Sequence, residues 1–387
     1  MADPAAILNY FRRQTTQMVS LLEELVKRES PSTDKTAVDR AADLLVTELS
    51  VLPVDVERLA QSGWGDFVRV RRRADGQSQG KAILLLTHMD TVWPVGELAR
   101  RPFKVDGNRI TGPGCLDNKC GQVFLLAVLR AIRDLDITLA RPLTAILNSD
   151  EEIGSRASRG LIENETSNSD FVLCLEAARP NGALVTARKA AGGFTMNITG
   201  KASHAGVAPE QGVSAIHELA LQIAELHALN EPDQGITVNV GVVNGGERGN
   251  VVAAQARALI DLRAPTVEAG DKTAQRILSA KPHHEGIRID VTGGFGRPPM
   301  ERTEQVAKLF KLAGKLADSL GLNLTEAATG GGSDASFAGA LGVPTLDGLG
   351  PVGAGGHSED EHVMVDSLAE RAALLTLLVS HLANEGL

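Results

Sequence analysis

The first half of the chain alternates continuous apolar runs with segments whose apolar residues recur at helical spacing. The continuous runs favour strands that are buried on both faces of a sheet, and they cover residues 82–87, 143–147 and 171–175. The helical spacing predicts helices over residues 14–30 and 121–135. This alternation is typical of an α/β fold, with a mixed, mostly parallel sheet and helices on both of its faces.

The pattern changes near residue 188, where strands that alternate apolar and polar residues replace the continuous runs. The order becomes β-α-β-β-α-β, which predicts a ferredoxin-like α+β domain, over residues 193–203, 213–229, 235–246, 250–264, 266–280 and 287–294. The α/β pattern then returns, with a helix over 304–321, a strand over 343–350 and a closing helix from Ser367. We therefore expect a larger α/β domain in two parts, 1–188 and 299–387, with a smaller α+β domain inserted over 189–298.

Composition narrows the class of protein. A length of 387 residues suggests about two domains, and a formal net charge of −9 argues against nucleic acid as the main partner. No run reaches the roughly 18 apolar residues of a membrane span. The N-terminus lacks the apolar core of a signal peptide, and the odd number of cysteines indicates no disulfide framework. We expect a cytoplasmic protein, although a secreted chain trimmed of its signal would look the same.

Residues able to bind metal follow each buried run. His88 and Asp90 follow the first, Glu151 and Glu152 the second, and Glu176 the third. Two further candidates lie in glycine-containing loops, Asp117 and His357. Each alone has an ordinary explanation, such as a helix N-cap for an aspartate. Because ligands collect at the carboxyl ends of parallel strands, the joint pattern instead predicts a site for zinc, manganese or cobalt.

The adjacent glutamates raise an electrostatic question. Like charges repel, and burial raises carboxyl pKa values, so Asp150, Glu151 and Glu152 need either solvent or compensating cations. A solvated loop is the alternative interpretation. Two divalent ions would offset the charge, and one glutamate could then bind metal while its neighbour acts as a base. By contrast, His283 and His284 have no evident partners in the sequence, and we expect them at the surface.

Five segments together resemble a zinc-dependent exopeptidase family that includes glutamate carboxypeptidase, aminoacylase, acetylornithine deacetylase and succinyl-diaminopimelate desuccinylase. They are "THMDTV", "GPGCLDNKCG", "NSDEEIGS", "CLEAA" and "GHSEDEHV", and the likeness runs over nearly the whole chain. The segment "NITGKASHAGVAPEQGVSA" is most similar to the glutamate carboxypeptidase branch.

The resemblance implies two divalent metal ions per chain, zinc in first place, with cobalt or manganese as alternatives. His88, Asp117 and Glu176 would hold one ion. Asp117, Glu152 and His357 would hold the other, so that Asp117 bridges the pair. The resemblance also implies a cis peptide bond after Asp117.

The same resemblance assigns roles around the metals. Glu151 would act as general base and acid, and Asp90 would orient His88. In the inserted domain, the resemblance implies substrate contacts by His204, Asn250, Arg297 and Gly332. His204 would reach across a homodimer formed through that domain, and Arg297 would hold a substrate carboxylate, for which a guanidinium is well shaped. The alternative for Arg297 is an exposed loop residue.

We therefore expect a two-metal hydrolase of the glutamate carboxypeptidase type. It would cleave an amide or peptide bond and release a C-terminal amino acid, glutamate in first place, from a small acyl or peptidyl conjugate. The same metal set would serve N-acyl amino acid deacylation, desuccinylation or dipeptide hydrolysis. A non-catalytic binding relative is a further alternative, but such a protein would have no use for a base at Glu151.

Overall fold

The computed structural model describes residues 3–387, which form two compact units. The first unit contains the described residues up to Thr186 together with Arg302–Ala328 and Ser333–Leu387. The second contains Ala187–Glu301 and Thr329–Gly332. Each unit has its own cluster of buried apolar side chains.

The secondary structure of the described residues is as follows. The strands are β1 Asp55–Leu59, β2 Phe67–Arg72, β3 Ala82–His88, β4 Lys104–Asp106, β5 Arg109–Thr111, β6 Leu143–Asn148, β7 Ser169–Cys174, β8 Leu184–Arg188, β9 Ala190–Thr199, β10 Thr237–Gly245, β11 Gln255–Ala264, β12 Arg288–Arg297, β13 Glu326–Thr329, β14 Thr345–Leu346, β15 Gly353–Ala354 and β16 His362–Met364. The helices are α1 Pro4–Val26, α2 Lys35–Ser50, α3 Glu97–Arg100, α4 Cys120–Asp134, α5 Arg159–Ser167, α6 Ala215–His227, α7 Val267–Leu278, α8 Glu304–Ser319, α9 Ala335–Ala340 and α10 Val365–Asn384.

The first unit is built on a six-stranded sheet with the order β1-β2-β6-β3-β7-β14. The pairs β6/β3, β3/β7 and β7/β14 are parallel, whereas β1/β2 and β2/β6 are antiparallel. Every residue of β3 and β6 is buried, as expected for strands covered on both faces. The predicted mixed, mostly parallel sheet is confirmed.

Some element boundaries differ from the prediction. The first helix begins at Pro4 rather than near residue 14, because the Asp3 carboxylate accepts a hydrogen bond from the Ala5 amide and proline suits the first helical position. The strand predicted over 343–350 is only the two-residue β14, and part of the glycine-rich segment before it forms α9. The predicted patterns were present, but capping and pairing set where each element begins and ends.

The second unit contains β9, α6, β10, β11, α7 and β12 in chain order, as predicted. Its four strands form an antiparallel sheet with the order β10-β11-β9-β12. Burial alternates strictly along β9, because one face of the sheet covers the small core. No helix within residues 3–387 is both long and apolar enough to cross a membrane.

In the second unit His283 is exposed and His284 is partly exposed, in line with the predicted surface position, but both have partners that the sequence did not reveal. The Nδ1 atoms of His283 and His284 lie 2.9 and 2.8 Å from the two carboxylate oxygens of Glu218, which is fully buried on α6. Gln222 donates a further hydrogen bond to the same carboxylate. Because the partners are distant in sequence, local spacing could not reveal this network.

Candidate metal centre

Three parallel strands deliver charged side chains to one edge of the first unit's sheet. His88 is the last residue of β3, a short 3-10 turn at Glu151–Ile153 follows β6, and Glu176 lies two residues after β7. Parallel strands end at the same edge, so these residues converge. Ligand atoms of His88, Asp117 and Glu152 all lie within 4.8 Å of one another.

His88 is buried and faces two carboxylates through one ring nitrogen. Its Nε2 atom lies 3.0 Å from Oδ1 of Asp117 and 3.4 Å from Oε1 of Glu176. Its other nitrogen, Nδ1, lies 3.0 Å from the backbone carbonyl of Asp90 and 3.3 Å from that residue's carboxylate. An Nδ1 hydrogen bond of this kind fixes the ring so that Nε2 is the atom offered to the cluster.

His357 faces a second pair of carboxylates. Its Nε2 atom lies 3.2 Å from Oδ2 of Asp117 and 3.0 Å from Oε2 of Glu152. The residue has a positive φ of 63° and follows Gly355, whose φ is 80°. Left-handed backbone is uncommon for a non-glycine residue and recurs at functional sites.

Asp117 is thus shared between two imidazoles, with one carboxylate oxygen directed at each. Four ligand atoms around a zinc ion at about 2.0–2.2 Å lie roughly 3.4 Å apart in tetrahedral geometry. The nitrogen-to-oxygen distances of 3.0 to 3.4 Å in this cluster are close to that spacing. In addition, the buried Oε1 atom of Glu152 has no hydrogen-bond partner among the residues that the structure describes. The chemistry and spacing of these residues therefore fit divalent cations.

The electrostatics also favour cations. Burial raises the pKa of Glu152 to about 6 and raises the pKa of Glu176. Hydrogen bonds to Asp117 and Glu152 raise the pKa of His357 to about 10. Burial opposes the charged form of His88, but Glu176 and the neighbouring aspartates outweigh it and raise the His88 pKa. Burial thus makes the charged form of these carboxylates unfavourable, and bound metal ions would relieve that cost.

Asp90 contacts more of the site than the sequence suggested. Its carboxylate accepts hydrogen bonds from the backbone amides of Glu151 and Glu152, at 3.3 and 3.2 Å, and from the Ser32 hydroxyl at 2.6 Å. One carboxylate therefore contacts both His88 and the turn that carries the adjacent glutamates. That turn presents Glu152 to His357 and leaves the Glu151 side chain partly exposed.

The peptide bond between Asp117 and Asn118 is cis, as the family resemblance implied.

Glu361 is a residue of the site that was not predicted from the sequence. It is a fully buried carboxylate that accepts hydrogen bonds from the backbone around Asp117. Its only signal was its position four residues after His357, within the segment "GHSEDEHV".

The predicted substrate-contacting residues of the second unit lie in two places. His204 is exposed and forms a bridge with Val251, and the Ala205 amide donates to the Asn250 carbonyl, so His204 and Asn250 are neighbours. Arg297 ends β12 and is only 6% exposed, so the alternative of an exposed loop residue is wrong. A Cβ atom at Gly332 would lie 2.7 Å from Cδ of Arg297, which explains the glycine there.

Comparison with known proteins agrees with this geometry. Residues 84–381 match the model of peptidase family M20/M25/M40. The chain is 32% identical to carboxypeptidase G2 of Pseudomonas sp. (strain RS-16) over 374 residues, covering 94% of this chain and 89% of the relative.

Two solved structures share the fold. Aminopeptidase PepT of Bacillus cereus superposes with a TM-score of 0.78 at 24% identity, covering 96% of this chain and 99% of that one. The YXEP protein of Bacillus subtilis, described as a dinuclear metal binding peptidase, has a TM-score of 0.70 at 15% identity, covering 96% and 99%. On the length of the family match and its similarity to carboxypeptidase G2, this chain belongs to peptidase family M20/M25/M40.

Proposed function

We propose that this protein is a two-metal hydrolase that releases a C-terminal amino acid, glutamate in first place, from a small acyl or peptidyl conjugate. The observation that carries the proposal is the Asp117 carboxylate, each oxygen of which faces a different imidazole. Similarity to carboxypeptidase G2 supports the choice of bond and of released residue. Zinc is the metal we propose, because imidazole and carboxylate ligands suit it.

In this proposal, His88, Asp117 and Glu176 hold one metal ion, and Asp117, Glu152 and His357 hold the other. Bound divalent ions would polarise the substrate carbonyl and lower the pKa of water in the site. Glu151 takes the proton from the attacking water and passes it to the leaving amine. Support for that role comes from the turn, because Asp90 fixes the backbone of both glutamates while the Glu151 side chain stays partly exposed.

We further propose that the protein forms a homodimer through its second unit, in which His204 polarises the substrate carbonyl bound by the partner subunit. Strand β10 supports this, because it is an edge strand whose backbone can pair with another chain. The valines Val242 and Val243 on it are 46% and 52% exposed. Asn250, beside His204, and Gly332, beside Arg297, are the remaining proposed substrate contacts.

Specificity would come from Arg297, which we propose binds the substrate's α-carboxylate. A site built for a charged group rejects an analogue that lacks the charge far more strongly than one with a changed methylene. The test compares an N-acylglutamate with its α-amide on the zinc-loaded enzyme. We expect kcat/KM to differ by about 10²-fold or more, because the amide forfeits a charged hydrogen-bonded pair.

Arg297→Ala should slow cleavage of the acid and narrow the gap between acid and amide. Arg288→Ala is the matched control, because Arg288 is exposed at the opposite end of β12 from Arg297; it should leave the acid-to-amide ratio unchanged. Equal cleavage of acid and amide by the wild type would contradict the carboxypeptidase proposal and indicate a general amidohydrolase.

A further inference from the structure

Glu361 is a buried carboxylate whose surroundings consist of N–H donors. Its Oε1 atom accepts hydrogen bonds from the backbone amides of Leu116 and Asp117, at 2.9 and 3.1 Å. Its Oε2 atom accepts from the Gly114 amide and from the indole of Trp93, both at 2.8 Å. Each carboxylate oxygen therefore accepts two hydrogen bonds. The side chain is 0% exposed, and no lysine or arginine takes part in these four bonds.

Three of the four donors belong to the short segment that carries Asp117. A backbone held at 114, 116 and 117 by one rigid carboxylate has little freedom to turn the Asp117 side chain away from either imidazole. Hydrogen bonds to a charged acceptor are roughly twice as strong as neutral ones, so the hold is firm. Glu361 thus fixes the direction of a carboxylate that it does not itself touch.

The loop that carries Glu361 also carries His357. Immediately after Glu361 the chain enters β16, which pairs with β5 and so anchors this end of the loop to the first unit. One loop therefore supplies an imidazole to Asp117 and, four residues later, holds the backbone of the same Asp117. The separation between His357 and Asp117 depends on this shared attachment.

We propose that Glu361 is a positioning residue that sets the affinity of both metal ions by fixing Asp117 relative to His357. This inference rests on the proposed two-metal function. A carboxylate suits the position because it only accepts hydrogen bonds. Glutamine would replace one acceptor oxygen with an NH₂ donor, and that donor would face two N–H groups.

The experiment measures zinc binding to Glu361→Gln without substrate, by competition with a chromophoric chelator. Loss of a residue that orients metal ligands weakens metal binding by about 10–100-fold, and we expect the zinc dissociation constant to rise by that factor. Glu359→Gln is the matched control, because Glu359 is 73% exposed and its side chain pairs with Arg100. The control should bind zinc as the wild type does.

Trp93 gives a second, independent measurement. Its fluorescence, recorded in a Trp64→Phe background, should change in Glu361→Gln, because the indole loses its acceptor. At saturating zinc the kcat of Glu361→Gln should recover most of the way to that of the wild type, since Glu361 acts through metal affinity. Recovery of that kind would not follow from a fault in the catalytic base.

The outcomes separate this inference from the proposed function. If the wild type binds two zinc ions and folded Glu361→Gln binds them within about twofold of the wild-type affinity, the inference is overturned while the proposed function stands. If the wild type binds no zinc, both are overturned. Should Glu361→Gln fail to fold, Glu361→Asp keeps the charge but shortens the side chain by one methylene, so that it no longer reaches all of the donors around Asp117; unchanged zinc affinity in that variant would overturn the inference, and weaker affinity would support it.

Discussion

A cluster of imidazoles and carboxylates in the first unit differs from one in the second unit in how its charges are satisfied. In the second unit the Glu218 carboxylate receives hydrogen bonds from Gln222, from the backbone amides of His283 and His284, and from both of their rings. Burial alone would raise its pKa, yet these bonds lower the pKa of Glu218 to about 2. The negative charge there is fully compensated by the protein.

In the first unit three carboxylates share two imidazoles, and within residues 3–387 the Oε1 atom of Glu152 has no hydrogen-bond partner. Burial there raises the pKa of Glu152 to about 6, the opposite direction from Glu218. A satisfied buried carboxylate needs nothing more, whereas a buried carboxylate with an unsatisfied oxygen would be stabilised by a cation. The comparison indicates that the first cluster is a ligand site and the second is a structural clamp.

The largest effect that we expect from a substitution in the first cluster is on the catalytic rate. Glu151→Gln keeps the size of the side chain and removes the proton acceptor. Loss of a general base costs about 10²–10⁴-fold in rate, and we expect kcat to fall by at least that factor with two metal ions still bound. Steady-state kinetics and metal analysis on one preparation check both parts. A variant within threefold of wild-type activity would exclude Glu151 as the base.

Substitution of Glu218 in the second unit should instead lower the stability of that unit. In Glu218→Gln the buried side chain would present an NH₂ donor to the N–H groups of His283 and His284, and an unsatisfied buried polar group costs about 1–3 kcal/mol. We expect the free energy of unfolding of the second unit to fall by about that amount, measured by hydrogen exchange in β9 and α6. Glu225→Gln is the control, because Glu225 is 62% exposed and pairs with His283 alone. An equal loss of stability in both variants would contradict the structural role of Glu218.

The clamp also predicts a pH dependence. The folded pKa of Glu218 is about 2, below the value of about 4.3 for an unperturbed glutamate. A depressed pKa gives stability that is complete above pH 4.3 and is lost as the pH falls toward 2. The wild type should therefore lose stability more steeply than Glu218→Gln between these pH values. Parallel pH profiles of unfolding for the two proteins would contradict the assignment.

Partial recovery of activity in mixed dimers is a smaller effect, and it would show whether the second unit also contributes to catalysis. Subunits carrying His204→Ala are mixed with subunits carrying Glu151→Gln, and each preparation alone should be nearly inactive. If His204 acts on the partner's substrate, each mixed dimer has one intact site, so random exchange should restore roughly a quarter of wild-type activity. No recovery despite confirmed subunit exchange would count against the proposed dimer role of His204.

The contrast also explains what the sequence could predict. Buried strands appear as continuous apolar runs, so the residues at their ends, such as His88 and Glu152, could be assigned to one sheet edge from the sequence alone. The glutamate clamp could not be predicted, because Glu218 meets His283 only after α6, two strands and α7 have folded. Glu361 could not be predicted for a similar reason, because three of its four donors are backbone amides, which any residue type supplies.

The most direct test of the metal centre is to measure the zinc ions retained after dialysis by the wild type, Asp117→Ala and His357→Ala. Because Asp117 faces both imidazoles, its loss should remove both ions, whereas loss of His357 should remove about one. We predict two ions per chain in the wild type, none in Asp117→Ala and one in His357→Ala. Two ions retained by Asp117→Ala would contradict the bridging role, and a wild type without bound metal would contradict the metal centre itself.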